Sequence, residues 1–586
     1  MKLTRILAAG FLGLTLFAAS AADACTNFLF TKGATKDGST MITYAADSHT
    51  LYGELYYRKV ADYPAGTMFQ VIDWDSGTPL MKIPQVAHTY SVVGNINEHQ
   101  LAIGETTYGG RDELAKEIEG GIDYGSYIYL TLQRAKNARE AIQVLAVFMA
   151  QYPYHSEGES FSICDPNEVW ILELIGKRPG TVKDDLAKKL KYKYTDGAVW
   201  VACRIPDGYV CGHANQARIT QFPQEPKKFQ KAKGKGLHTV ISSAHLDYLF
   251  EPEVECVYSD EVITYARACG WYDGKDEDFS FADIYAPLTF SGMRGCDARV
   301  YAMFNRVAKD MKRYEKYAMG DATAERLPLW VKPDHQITVH EAMQLMRDLY
   351  EGTAMDMTKV LGAGPFNCPY RWRPMGFELD GHTYVHERAT STQQTGFSFV
   401  AQCRGWLPSK IGGILWFGVD DTYSTVYCPM YCGITEIPLC FRQGNGDMVT
   451  YSETAAFWLF NRVTNFVYSR YCDMIVDLQK EQAKLEKAFI KDVAKLDERA
   501  KGAEGEALTK MLNDFSSRAA ARMMKTWKHL DQFLLVKYMD GNIKKEKGGK
   551  FERTETGGAA FPNQPAYRTE WQRMIVNDHG DVIREK

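Results

Sequence analysis

Residues 19–31 read Ala19-Ser20-Ala21-Ala22-Asp23-Ala24-Cys25-Thr26-Asn27-Phe28-Leu29-Phe30-Thr31, and the junction of Ala24 with Cys25 governs how the rest of the chain is read. Ahead of it, Met1–Arg5 carries Lys2 and Arg5, and Ile6–Ala22 is apolar and uncharged. A basic start, an apolar run and the small-residue site Ala22-Asp23-Ala24 make a secretory signal peptide over residues 1–24. The expectation is an exported protein, periplasmic or extracellular. The apolar run is marginal in length for a permanent span and no second one follows, so no stable membrane span is expected. Cleavage after Ala24 makes Cys25 the first residue. A terminal α-amine titrates at about 7.7–8.0, far below a lysine, and accepts a proton at neutral pH. Carried on the same residue as a thiol, it supplies a general base to its own nucleophile, and the thiolate is the species that attacks.

Downstream of the junction, Cys25–Thr31 alternates as a strand does, Lys36-Asp37-Gly38 is a turn, and Thr40–Tyr44 is a second strand, a hairpin opening at the cysteine. Further strands are expected at Tyr90–Val93, Leu101–Thr107, Glu159–Cys164, Glu168–Ile175, Val199–Cys203 and Tyr209–Cys211. Ser126–Tyr152 has helical period and is predicted as one helix packed on a sheet. Helices are predicted near Glu261–Cys269, Asp297–Tyr314 and Val339–Tyr350, and late strands at Thr395–Gln402, Gly413–Gly418 and Ser424–Tyr427. After Tyr451 the pattern becomes long helices, Ala455–Ser469, Met474–Glu498 and Glu506–Tyr538, before a Lys/Gly-rich stretch over Gly541–Gly558. Their charged faces suit solvent or a second copy of the chain, a homo-oligomer. Antiparallel strands with helices segregated between and after them give an α+β class.

The 586 residues are 45% hydrophobic and 24% charged, with net charge −4 and pI near 6.4, so there is no basic field to hold nucleic acid by its phosphates. Loss of residues 1–24 takes away Lys2, Arg5 and Asp23 and leaves −5. Aromatic residues at 12% exclude disordered and collagen-like classes. Thirteen cysteines leave twelve beside Cys25, an even number compatible with disulfides in an oxidising compartment and equally with buried free thiols. Cys428 and Cys432 are one residue too far apart for a C-x-x-C pair, and His340-Glu341 is not followed by the second histidine of a zinc helix. Asp420-Asp421 lacks the ligand spacing of a calcium loop. No metal and no cofactor is expected.

The start Cys25-Thr26-Asn27, then Lys36-Asp37-Gly38-Ser39, then Ala46-Asp47-Ser48-His49, resembles the cysteine dipeptidases of the dipeptidase A and secernin group. That group stands with penicillin V acylase and bile-salt hydrolase among the N-terminal nucleophile hydrolases. The likeness continues through Asn97–Thr107, Ile122–Ser126, Ser156–Phe161 and Gly212–Ile219, and runs from Cys25 to the region of Arg299 and more weakly to about residue 450. The resemblance implies a four-layer αββα sandwich and hydrolysis of small peptides without metal or cofactor. It divides the chain into a catalytic domain over 25–450, a helical C-terminal extension over 451–545 and a tail over 546–586. By position, Cys25 is the nucleophile and Asp47 the aspartate that holds the N-terminal amine. Asn215 is an oxyanion donor through its side-chain amide, and the backbone N–H near Thr107 is a second, with Thr106 beside it. Arg299 falls where the acylases place an active-site arginine, with Arg294 close by. Two departures favour the dipeptidase side: Tyr44 stands where the acylases have an arginine, and Thr107 where bile-salt hydrolases have an asparagine.

Each residue also has a plainer reading. Asp47 serves equally as a turn or cap residue, Asn215 as a partner of buried backbone groups, His213 as a structural histidine and Arg299 as one half of a salt bridge. Glu157 and Glu159 suit a substrate amine or plain solvation. Three functions stay open on the sequence: an exported dipeptidase, an exported acylase-type amidase acting on N-acyl amino acids or cell-wall fragments, and a non-catalytic lipoprotein that keeps the fold. A lipid-attachment signal wants an aliphatic residue three before the cysteine and a small one two before it, where this chain has Ala22 and Asp23.

Overall fold

The computed structural model describes residues 25–231 and 236–585; the expected signal peptide, residues 1–24, lies outside them. Two large sheets carry the α+β structure. The first has seven antiparallel strands in the order Trp330–Val331, Val210–His213, Asn27–Phe30, Thr40–Asp47, Thr395–Cys403, Gly413–Val419 and Cys428–Tyr431. The second has nine, with Ala102–Gly109, Gly158–Cys164, Val169–Gly176 and Ala198–Arg204 consecutive at its centre. They pack face to face where Asn27–Phe30 and Thr40–Asp47 lie over Ala102–Gly109 and Gly158–Cys164. All eight residues of Thr40–Asp47 are buried, as in a strand covered on both sides. Where the sheets meet, a Cβ on Gly104 would come 3.1 Å from Asn27 Nδ2, so the smallest residue permits the approach.

Helices Tyr124–Leu132 and Ala138–Gln151 pack on the outer face of the nine-stranded sheet. One helix was expected across Ser126–Tyr152, and the structure has two. Asn137 ends the first run by capping the second: its side chain accepts the Glu140 backbone N–H at 2.9 Å, which competes with continuing the helix. Asp297–Tyr314 is likewise divided, into a wide turn over Gly292–Asp297, a helix over Ala298–Val307 and a short turn over Met311–Tyr314. The last strand falls at Cys428–Tyr431 and not at Ser424–Tyr427, because Thr425 folds its hydroxyl back to the Val419 carbonyl at 2.7 Å and closes a turn.

The helices Ala456–Ser469, Tyr471–Ala500 and Gly505–Tyr538 pack against the last strands of the seven-stranded sheet. Two buried ion pairs fasten the middle one. Glu486 takes both terminal nitrogens of Arg347, at 2.5 and 3.2 Å, and Asp497 takes Arg404 at 2.5 Å while accepting the Tyr431 hydroxyl at 2.8 Å. No helix among the described residues is long and apolar enough to cross a membrane.

Candidate active site

Cys25 leads into the strand Asn27–Phe30 of the seven-stranded sheet, 3% exposed, with Thr26 bridged to Ala45 on the neighbouring strand. Its Sγ lies 3.6 Å from the Tyr44 hydroxyl and 3.6 Å from Glu105 Oε1, and Tyr44 also donates to Glu105. The Asp47 backbone N–H points at the thiol and favours its ionised form. Burial outweighs it and, with the charges of Glu105 and Asp47, holds the thiol well above its ordinary range. A neighbouring positive charge is what this thiol needs in order to ionise.

Arg299 joins the cysteine to the next element of the site. Fully buried, it donates to the Cys25 carbonyl at 2.5 Å, Thr26 Oγ1 at 2.8 Å, the Ala214 carbonyl at 3.1 Å, Asn215 Oδ1 at 2.8 Å and the Gly295 carbonyl at 2.9 Å. The planar fork of a guanidinium matches such a spread of acceptors. Asn215 sits just past Val210–His213 with φ of 58°, a left-handed conformation that asparagine tolerates better than most residues. Its oxygen is held by Arg299 and its Nδ2 donates to the Thr107 carbonyl at 2.6 Å. The loop that follows is pinned by buried Glu173, which accepts the backbone N–H groups of Arg218 and Ile219 at 2.7 and 3.0 Å. Burial pushes the Glu173 carboxyl up to about 7 even so.

Asp47 stands at a register shift in its strand, next to Cys25. Arg388 pairs with one of its oxygens at 2.5 Å and Thr395 donates to the other at 2.6 Å. Burial raises this carboxyl, against the pull of Arg388 and the Thr395 hydroxyl. Thr107 donates its hydroxyl to Glu159 at 3.0 Å. The Thr106 hydroxyl meets His213 Nδ1 at 2.7 Å, while His213 Nε2 meets Ser162 at 2.7 Å. That histidine sits between the sheets, held neutral by burial, which lowers its pKa to about 3. It is a structural tie and not a base. Arg294, the near neighbour of Arg299, turns away to an ion pair with Glu387 at 2.7 Å.

The structure therefore brings Cys25, Asp47, Asn215 and Arg299 together, with Thr107 joined to Asn215 and the Thr106 side chain turned between the sheets. Sequence reasoning gave no role to Glu105, Tyr44 or Arg388. Glu105 had a signal: a carboxylate inside Ala102–Gly109, otherwise small, apolar and hydroxyl residues, in a strand that had to be buried. Glu159, read from sequence as either solvated or amine-binding, is buried beside Glu105, and burial followed by the Glu105 charge drives its carboxyl well above the ordinary range. Arg388 had no sequence signal, lying 341 positions from Asp47.

A model of Peptidase family C69 matches residues 24–484. Among curated proteins, a "Probable dipeptidase" of Latilactobacillus sakei is 21% identical over 77% of this chain and 82% of its own. A "Probable dipeptidase B" of Streptococcus pyogenes serotype M1 is 20% identical over 80% of this chain and 84% of its own. A "Probable dipeptidase" of Salmonella dublin is 21% identical over 72% and 84%.

Proposed function

The chain belongs to Peptidase family C69 and is a cysteine-type dipeptidase, and from that premise we propose that it is exported, begins at Cys25 once its leader is removed, and cleaves dipeptides through a thioester on that residue. The observation that carries this reading is the convergence of Asn215 and Arg299 on a cysteine that leads into a buried strand. The helices on the outer faces of the two sheets support assigning the four-layer αββα sandwich of N-terminal nucleophile hydrolases.

The Cys25 sulfur attacks the scissile carbonyl carbon and its proton passes to the α-amine of the same residue. Negative charge then collects on the carbonyl oxygen, where the Asn215 amide and a backbone N–H near Thr107 donate to it. Collapse breaks the C–N bond, the ammonium returns a proton to the departing amine, and the first amino acid leaves. Water attacks the thioester, with the amine again as base, and releases the second. Glu105 and Asp47 oppose the thiolate while the amine is acylated in the precursor; an ammonium on Cys25 reverses that balance. The same Glu105 carboxylate suits a substrate with a free, cationic N-terminus better than an N-acyl amino acid, which favours dipeptides over acylase substrates.

The test is intact mass of the protein exported by its host, followed by dipeptide turnover by the same sample and by Cys25→Ala. An unmodified chain starting at Cys25, release of both amino acids, and no turnover in the variant are expected. Turnover by Cys25→Ala, or acyl groups on the terminal amine, would overturn the reading.

A further inference from the structure

Tyr44 has two faces. Its hydroxyl touches the Cys25 thiol and Glu105, while its ring forms one wall of a narrow cleft bounded also by Tyr56, Trp74, Tyr124, Tyr129 and Arg58. The free space is about 30 Å³, room for roughly two water molecules. That admits the two oxygens of a carboxylate and excludes a bulky side chain. Arg58 is half-buried and lies 3.6 Å over the ring of Tyr129. A guanidinium held over an aromatic face satisfies its flat side there and keeps its edge N–H groups for an anion.

Arg58 forms no hydrogen bond or ion pair through its guanidinium among the described residues, unlike Arg299, Arg347, Arg388 and Arg404, each of which is engaged by oxygen acceptors. A partly desolvated cation with aromatic walls and no protein carboxylate is costly unless a ligand completes it. A dipeptide carries its negative charge a few bonds from the scissile carbonyl, on the side away from its ammonium. Glu105 takes the Tyr44 hydroxyl at the thiol, and Arg58 lines the same cleft as Tyr44, so a single tyrosine joins an anionic group beside Cys25 to a cationic one in the cleft.

We infer that Arg58 binds a carboxylate of the substrate in the cleft behind Tyr44 and so sets which molecules the enzyme accepts. This rests on the dipeptidase reading above. The carboxylate has two sources, the C-terminus of the dipeptide or an acidic side chain on its second residue, and the assay separates them. Wild type, Arg58→Gln and Arg58→Lys are compared on a neutral dipeptide, its C-terminal amide, and an amide-capped dipeptide whose second residue is acidic.

Wild type is expected to favour carboxylate-bearing substrates over the neutral amide. Preference for the free neutral dipeptide assigns the C-terminal source, and preference for the capped acidic one assigns the side chain. Arg58→Gln should raise KM for the favoured substrate about 10- to 100-fold, the loss of one charged hydrogen-bonded contact, and collapse its advantage over the amide. Arg58→Lys should keep part of the preference, and matching thermal melts exclude misfolding as the cause. An unchanged KM ratio in Arg58→Gln overturns the inference while leaving the dipeptidase reading intact. Should wild type cleave none of the three, that reading fails, and calorimetry of the same substrates on Cys25→Ala with and without Arg58→Gln decides the carboxylate site: Arg58-dependent binding upholds it, and Arg58-independent binding or none overturns it.

Discussion

Replacing Arg299 by lysine keeps the charge and removes the fork, so it isolates what the planar guanidinium does. Arg299 reaches five acceptors in two directions, with Cys25 and Thr26 on one side and Ala214 and Asn215 on the other. A lysine ammonium has three donors at one point and can serve only one of those sides. Losing two charge-assisted hydrogen bonds, at roughly 1.5–3 kcal/mol each, removes about 3–6 kcal/mol, divided between the folded state and the barrier. Whichever side is abandoned, either the Cys25 carbonyl or the Asn215 amide is no longer held, and on the proposed mechanism a displacement of about 1 Å costs on the order of 100-fold in rate. The assay is kcat and KM on a dipeptide at a temperature well below the melting transition, with melts recorded alongside. The expected outcome is kcat lower by about 100-fold or more, KM changed less, and a lowered melting temperature. A variant within threefold of wild-type kcat would refute the idea that Arg299 positions Cys25 and Asn215.

Asn215→Gly keeps the left-handed turn without strain and deletes the amide, so kcat should fall about 100- to 1000-fold, the usual cost of one oxyanion donor, as read by steady-state turnover. Glu173→Gln tests a pH dependence. Its folded pKa, about 7, lies above the ordinary 4.5, so folding retains a proton between those values and wild-type stability falls as pH rises from 4.5 towards 7. Denaturant melts at pH 5 and pH 8 should show the stability difference, variant minus wild type, growing with pH by up to roughly 3 kcal/mol, and an unchanged difference would refute it.

Much of the site was legible because its signals are local. The hairpin turn at Lys36-Asp37-Gly38 and the strand and helix periods all sit within a few residues of the features they predict. The break between Leu132 and Ala138 was local too, in the asparagine three residues before Glu140, but a continuous apolar period on both sides masked it. What escaped is non-local. Arg388 reaches Asp47 only because Thr395–Cys403 pairs with Thr40–Asp47, and no pattern in Arg388's own neighbourhood records that pairing. The Glu105–Glu159 contact depends on the register of two strands, which places Thr107 opposite Glu159. The long C-terminal helices were legible as helices, whereas the face they cover is written in Arg347 and Arg404, far upstream of Glu486 and Asp497.

Those last helices bear on the order in which the protein is made. The hairpin of Asn27–Phe30 and Thr40–Asp47 emerges early from the ribosome, yet the next strand of its sheet, Thr395–Cys403, which pairs with Thr40–Asp47, comes some 350 residues later, and the helices that cover that sheet end at Tyr538. Contacts of such sequence separation form late, since the intervening loop must be closed before it is rewarded. The candidate site around Cys25 is therefore incomplete through most of translation. The candidate site is completed only when the late strands and helices arrive, so the activity proposed for it waits on contacts made near the end of synthesis.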